Sequence, residues 1–165
     1  MSLLEKLFAI FSGQVSVTVL LGSGYDREAE EKKIREGLVS CIRTYLGVKY
    51  RLGAEVAPRD PMPEDIDCSE LIELVYAKND LEMPDGSQHQ FKLCIPVQTP
   101  VPGDLGFLWS DKWQRIGHVA IYVGDNKIIH AVGGRGVVED NRSIIEHSDR
   151  FRGWGRYPDF IQEEA

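Results

Sequence analysis

The first long pattern of apolar and polar positions lies in residues 26–46 and has the period of an amphipathic helix. Apolar side chains recur there at steps of three and four, with glutamate and lysine between them. These apolar positions are Ile34, Leu38, Cys41, Ile42, Tyr45 and Leu46. Gly47 follows the last of them, as glycine often does just beyond a helix end. The pattern therefore predicts a helix over residues 26–46 that buries one face.

A second helical pattern begins in the polar tetrad at residues 67–70, after a loop rich in proline and acidic residues. Asp67 is a favourable N-cap residue, so we expect the helix to start there, with Cys68 in its first turn. The buried face of this helix would comprise Leu71, Ile72, Val75 and Tyr76. A turn at residues 84–86 and a further short helix over residues 87–94 complete the helical part of the chain.

Beyond Pro96 the helical period gives way to short strands separated by glycine-rich turns. The predicted strands are residues 104–109, 118–123, 127–132, 137–140 and 151–157. Helices followed by a run of antiparallel strands indicate an α+β domain.

The N-terminal residues, 1–24, are apolar only in pieces. A polar interruption at residues 12–14 makes the segment a poor signal peptide and leaves it too short and broken for a membrane span. We expect a short helix followed by a strand packed on the domain. This interpretation divides the chain into an N-terminal extension, residues 1–25, and one domain, residues 26–165.

Composition excludes several classes of function. The net charge of −7 and the lack of a basic stripe argue against a nucleic-acid partner. The three cysteines form no CxxC motif, and no histidine pair has the spacing of metal ligands, so we expect neither a disulfide framework nor a zinc site. No cofactor is expected. Cys41 and Cys94 fit a buried core, and His89 fits the surface.

Cys68 is the candidate nucleophile. In the first turn of a helix, the dipole and the unpaired N–H groups favour a thiolate over a thiol. A thiolate in this setting is a common form of activated nucleophile. The alternative interpretation is a small buried hydrophobic side chain, as most free cysteines are.

Two histidines share one face of a predicted hairpin. Residues 118–123 alternate strictly between apolar and other side chains, and a three-residue loop would pair Val123 with Lys127. The remaining predicted pairs are 119 with 131, 121 with 129, and 120 with 130. His118 and His130 then lie diagonally across the ladder, about 7–8 Å apart at the backbone and within side-chain reach. His118 would serve as the general base for Cys68, His130 would orient it, and N–H groups of the Cys68 helix would bind the oxyanion.

Taken together, these residues resemble the NlpC-type cell-wall peptidases, which are papain-like cysteine hydrolases. Residues 67–72 read Asp-Cys-Ser-Glu-Leu-Ile, where the family's nucleophile motif reads Asp-Cys-Ser-Gly-Leu-Val. Residues 118–124, His-Val-Ala-Ile-Tyr-Val-Gly, match its His-Val-Gly-Ile-Tyr-Leu-Gly, and residues 129–131 match its Ile-His-Ala. Residues 102–105 repeat its Pro-Gly-Asp-Leu, and residues 50–53 resemble its Tyr-x-x-Gly.

The resemblance implies a papain-like fold with the nucleophile at a helix N-terminus, packed on a C-terminal antiparallel sheet. It also implies cleavage of amide bonds in peptidoglycan, usually between γ-D-glutamate and diaminopimelate or lysine. Tyr50 would line the active site, Asp67 and Ser69 would flank the substrate peptide, and Arg115 would reach a substrate carboxylate. Glu70 stands where the family has glycine, and we expect it to crowd or recharge the groove beside the nucleophile.

Three hypotheses of function remain open from the sequence. The first is a peptidase of peptidoglycan stem peptides, in a phage lysis or tail enzyme or in an exported effector, with a larger phage or secretion assembly as partner. In the second hypothesis, the same catalytic residues belong to an N-acetylmuramoyl-alanine amidase or an acyl transferase. The third is an inactive binding or assembly module on the same fold. The cellular location is not indicated by any sequence feature.

Overall fold

The structure, a computed structural model, describes residues 26–57 and 60–160. The helix and strand expected within residues 1–24 lie outside the described residues, and the boundary of an extension at residue 25 stays a prediction. No helix in the described part of the chain has both the length and the apolar character needed to cross a membrane.

The described residues form four α-helices, and three of them match predicted segments. Their bounds are α1 Arg27–Arg43, α2 Cys68–Lys78, α3 Ser87–Leu93 and α4 Ser143–Glu146. Helix α1 ends three residues before the predicted end at Leu46, because the Thr44 hydroxyl donates to the Cys41 carbonyl at 2.7 Å and the chain turns. Gly47 completes that turn with a φ of 90°. Helix α4 is a single turn, too short to leave a periodic signal in the sequence.

In the part of the chain that the structure describes, eight strands form two sheets. The strand bounds are β1 Lys49–Tyr50, β2 Asp65–Ile66, β3 Ile95–Val97, β4 Leu105–Ser110, β5 Arg115–Gly124, β6 Lys127–Val132, β7 Gly136–Asn141 and β8 Phe151–Arg156. Strands β1 and β2 make a parallel pair, and the other six form an antiparallel sheet in the order β3-β8-β4-β5-β6-β7. The five predicted strands correspond to β4 through β8, whereas the unpredicted β1, β2 and β3 have two or three residues each.

The antiparallel sheet is buried on both faces. Val119, Ile121 and Ile129 belong to the main core cluster, together with side chains of α1 and α2. On the opposite face, Ala120 and Ile128 pack in a second cluster that includes Ile145 of α4. The alternation read from residues 118–123 is therefore correct, and the fold is the predicted α+β arrangement of helices against an antiparallel sheet.

The β5–β6 hairpin differs from the prediction by one residue. Gly124, not Val123, pairs with Lys127, and a two-residue turn of Asp125 and Asn126 joins the strands. Both turn residues have positive φ, 50° and 58°, as this tight turn requires, and Asp and Asn tolerate that conformation.

A bulge between Tyr122 and Gly124 absorbs the extra residue, so Ile121 still pairs with Ile129 as predicted. The predicted pairs further along, 119 with 131 and 120 with 130, are absent from the ladder of residues 115–132, which ends at Ile121 and Ile129. The two strands therefore separate at the level of the histidines.

Candidate active site

Cys68 is the first residue of α2, as the sequence predicted. The extended Asp67 caps the helix, because its side chain accepts hydrogen bonds from the Glu70 N–H at 3.0 Å and the Ser69 hydroxyl at 3.1 Å. The second carboxylate oxygen of Asp67 accepts from the Gly53 N–H at 3.0 Å. Asp67 thus fixes both the helix start and the loop beside it.

The thiol of Cys68 is buried against strand β5. The residue is only 6% exposed, and its sulfur lies 4.0 Å from the Gly117 carbonyl oxygen. Burial, with the charge of Asp67 adding to it, raises the pKa of Cys68 to about 12. Backbone N–H groups of Val119, Ser69 and Cys68 itself act in the opposite direction but do not outweigh burial. Burial in this fold therefore opposes the thiolate expected at the helix N-terminus and favours a neutral thiol at Cys68.

A bulge in β5 brings Gly117 to the sulfur. Leu108 of β4 pairs with His118, but the next residue, Trp109, pairs with Ile116, which leaves Gly117 as the additional residue. A Cβ atom at position 117 would overlap the Cβ of Ser110, so only glycine fits without a shift.

His118 and His130 are joined directly. The Nε2 atom of His118 lies 2.9 Å from the Nδ1 atom of His130, with the two rings inclined at 62°. Burial, and secondly the neighbouring His130, lowers the pKa of His118 to about 3, so this imidazole is neutral at neutral pH. Burial also lowers the pKa of His130, against the opposing effect of Asp140. The side-chain contact predicted between these two histidines is therefore present as a hydrogen bond, although the strand pairs predicted beside it are absent.

Two further residues extend this pair and were missed by the sequence analysis. The Nε2 atom of His130 lies 3.0 Å from an oxygen of Asp140 on β7, and Arg135 binds both oxygens of that carboxylate at 2.7 and 2.9 Å. Because Ile128 pairs with Asp140, the aspartate is a diagonal neighbour of His130 across β6 and β7. Asp140 would have been found from the sequence only with a prediction of how β6 and β7 pair, residue by residue.

The backbone of β5 connects the thiol to the histidine pair. Gly117 and Val119, the neighbours of His118, are the β5 residues that approach the sulfur. Among the hydrogen bonds of residues 26–57 and 60–160, none joins the Cys68 sulfur to either histidine ring. The Cys68 sulfur therefore contacts the backbone on either side of His118 without a hydrogen bond to the imidazole.

Two cavities meet at Gly117. One, of about 440 Å³, is lined by Cys68, by the first residues of α3 and by the start of β5. The other, of about 340 Å³, is lined by His118 and His130, by the last three residues of β4, and by side chains between residues 144 and 150. Gly117 contributes to both, so the two cavities border the same bulge at the start of β5.

The four predicted substrate residues lie near Cys68. Asp67, Ser69 and Arg115 line the larger cavity. Tyr50 is not part of that wall, but burial, with the charge of Asp67 adding to it, raises the pKa of its phenol to about 12.

The part of the chain that contains these site residues is similar to known proteins. Residues 47–152 match the sequence profile described as "NlpC/P60 family". The chain belongs to the NlpC/P60 family. It is 31% identical over 119 residues to a gamma-DL-glutamyl hydrolase of Bacillus subtilis, covering 68% of this chain and 27% of that protein. It is 37% identical over 122 residues to a probable endopeptidase p60 of Listeria monocytogenes, covering 73% of this chain and 22% of that protein.

A solved structure shows the same fold. The NlpC/P60 family protein from Bacillus cereus superimposes with a TM-score of 0.63 at 23% identity, covering 74% of this chain and 40% of that one. The chain spans only about a fifth to a quarter of the length of the two curated relatives it matches. The comparison therefore establishes the NlpC/P60 fold and membership of the family.

Glu70, the departure from the family motif, has a structural contact in this NlpC/P60 domain. One of its carboxylate oxygens accepts a hydrogen bond from the Val56 N–H at 2.8 Å, which ties the segment after β1 to α2. Glu70 is not among the residues that line the cavity at Cys68, so it does not crowd that cavity, and an effect of its charge on the groove stays a prediction.

Carboxylate oxygens of Glu70, Glu73 and Asp85 lie within 4.8 Å of one another. Burial, and then the nearby carboxylates, raises the pKa of Glu73 to about 7. A proton on Glu73 relieves the repulsion in this cluster near neutral pH.

Proposed function

We propose that this NlpC/P60 domain is a cysteine hydrolase that cleaves an amide bond in the stem peptides of peptidoglycan. The observation that carries the proposal is a cysteine at a helix N-terminus beside a hydrogen-bonded histidine pair. The names of the relatives, a γ-glutamyl hydrolase and probable endopeptidases, support a bond on the γ-carboxyl side of D-glutamate. The partner amine would come from diaminopimelate or lysine.

The mechanism follows from the neutral resting state. His118 takes the proton of the Cys68 thiol as the sulfur attacks the substrate carbonyl, since both groups are neutral beforehand. Backbone N–H groups at the start of α2 would stabilise the oxyanion. The C–N bond then breaks, His118 returns the proton to the leaving amine, and a thioester remains. Water, deprotonated by His118, hydrolyses the thioester to a carboxylate and restores the thiol.

The two cavities suggest how the peptide lies. The acyl half would occupy the cavity at Cys68, where Arg115 is available for a carboxylate. Asp67 already accepts three hydrogen bonds, but a carboxylate has about four acceptor positions, so it retains capacity for a substrate ammonium group. The amine half would extend toward the cavity lined by His118, because that imidazole must protonate the leaving nitrogen.

Digestion of purified muropeptides, with mass spectrometry of the new termini, tests this proposal. A newly freed diaminopimelate or lysine amine supports the peptidase, whereas freed lactyl groups indicate an amidase. If no product forms, the hydrolase proposal fails and the inactive module takes its place.

Substitutions in the site test the assigned roles. Cys68→Ala should abolish turnover, and His118→Ala should lower kcat by about 10³-fold or more, with a smaller loss for His130→Ala. The urea midpoint and far-UV circular dichroism of each variant control for folding. Full activity in Cys68→Ala would refute the mechanism.

A further inference from the structure

Asp140, the penultimate residue of β7, has a mostly buried carboxylate with hydrogen-bond partners on both oxygens. Its side chain is 16% exposed, and Arg135 holds both of its oxygens from a position five residues earlier. The paired guanidinium, with His130 contributing, lowers the pKa of Asp140 to about 2. The side chain is therefore an ionised carboxylate, which accepts hydrogen bonds and donates none.

Because the Asp140 carboxylate can only accept hydrogen bonds, it determines which ring nitrogens of His130 and His118 carry hydrogen. His130 must carry its hydrogen on Nε2 in order to donate to Asp140 at 3.0 Å. A neutral imidazole has only one N–H, so Nδ1 of His130 presents a lone pair. His118 must then donate from Nε2 across the 2.9 Å contact, which leaves the lone pair of His118 on Nδ1.

The opposite arrangement would remove the base. If His130 carried its hydrogen on Nδ1, it would donate to Nε2 of His118, and Nδ1 of His118 would hold a hydrogen. No atom of that ring would then be free to take a proton from Cys68.

We propose that Asp140, clamped by Arg135, is a positioning residue that sets the tautomers of His130 and His118 and so keeps the base unprotonated on Nδ1. Its effect on turnover rests on the proposed function, but the tautomers are a property of the resting protein. Asp140 acts through His130 and does not itself contact the reacting atoms.

The direct test is nitrogen-15 NMR of protein labelled at histidine, because protonated and lone-pair ring nitrogens have well-separated shifts. In the unmodified chain, His118 and His130 should both be protonated at Nε2 only. The exposed His89, which contacts the Asp85 carbonyl through Nδ1, serves as an internal reference. A hydrogen on Nδ1 of His118 would overturn the proposal, whether or not any variant folds.

Variants extend the test to turnover. Asp140→Ala should shift both histidines toward Nδ1–H or a mixture and lower kcat by about 10- to 100-fold with little change in KM. Arg135→Gln should show the same effect to a smaller degree. Unchanged tautomers and unchanged kcat in Asp140→Ala would contradict the assignment.

Glu139→Gln is the matched control, since Glu139 is the adjacent residue of β7 and pairs with Arg43. It should alter neither the nitrogen shifts nor kcat, and a loss equal to that of Asp140→Ala would assign the effect to the strand instead. If the unmodified chain cleaves no muropeptide, the proposed function fails while the NMR result still decides the tautomers.

Discussion

Replacing Asp104 with asparagine should destabilise the fold without touching the active site. The Asp104 side chain is fully buried and receives hydrogen bonds from Arg35 at 3.1 Å, from Arg156 at 2.8 and 3.0 Å, and from the Val101 N–H at 2.9 Å. It joins α1 to the start of β4 and to the end of β8. None of its partners lines either cavity at the site.

The expected loss of stability comes from the guanidinium charges of Arg35 and Arg156, which would no longer face a carboxylate at position 104. Removing one member of a buried ion pair costs about 3–5 kcal/mol, because the remaining charge stays desolvated. The Arg35 side chain is 10% exposed, whereas that of Arg156 is 22% exposed and can recover some hydration, so we expect a value near the lower end. About 3 kcal/mol is a large part of the 5–15 kcal/mol that stabilises an ordinary domain and corresponds to a Tm lower by roughly 10 °C.

Urea unfolding followed by tryptophan fluorescence measures this effect, since Trp154 is buried in the fold. The midpoint should fall by about 1 M or more with an unchanged slope. Asp111→Asn is the matched control, because Asp111 pairs with Arg150 at 3.4 Å with both side chains mostly exposed. That change should cost less than about 0.5 kcal/mol. A loss below about 1 kcal/mol in Asp104→Asn would refute the reasoning.

Two further predictions concern Glu73 and Gly117. The fold raises the pKa of Glu73 from 4.5 to about 7, so the native state binds more protons than the unfolded state and stability falls as pH rises through this window. Glu73→Gln should therefore raise the urea midpoint at pH 8 and leave it unchanged at pH 4, and equal midpoints at pH 8 would contradict the assignment. Gly117→Ala should lower the free energy of unfolding by about 1–3 kcal/mol, because the added methyl group overlaps Ser110. It should also lower kcat, because the β5 backbone beside Cys68 would shift; a fully active variant would disprove that role of the bulge.

The sequence predicts the elements of the site better than their chemical state. Asp67 at the N-cap, Cys68 in the first turn and the shared face of the two histidines all follow from local patterns, and each is observed. The hairpin loop was predicted one residue too long, yet a bulge compensates and the histidines still meet.

The missed features depend on tertiary structure. Asp140 reaches His130 only through the β6–β7 register, which residues 137–140 alone do not determine. The thiolate predicted for Cys68 rested on the helix dipole, which acts locally, whereas the opposing burial against β5 is set by the whole fold. Asp104 was recognised within a motif, but its partners lie 69 and 52 residues away along the chain.

The buried, neutral thiol of Cys68 also bears on how long the protein can survive outside a reducing compartment. Peroxide and disulfide reagents react with the thiolate form of cysteine, and burial that raises the pKa of the Cys68 thiol to about 12 lowers the share of that form at neutral pH. We therefore expect the resting domain to form sulfenic acid and mixed disulfides slowly at Cys68. Its nucleophile would become vulnerable only during the brief interval in which a bound peptide draws the proton away.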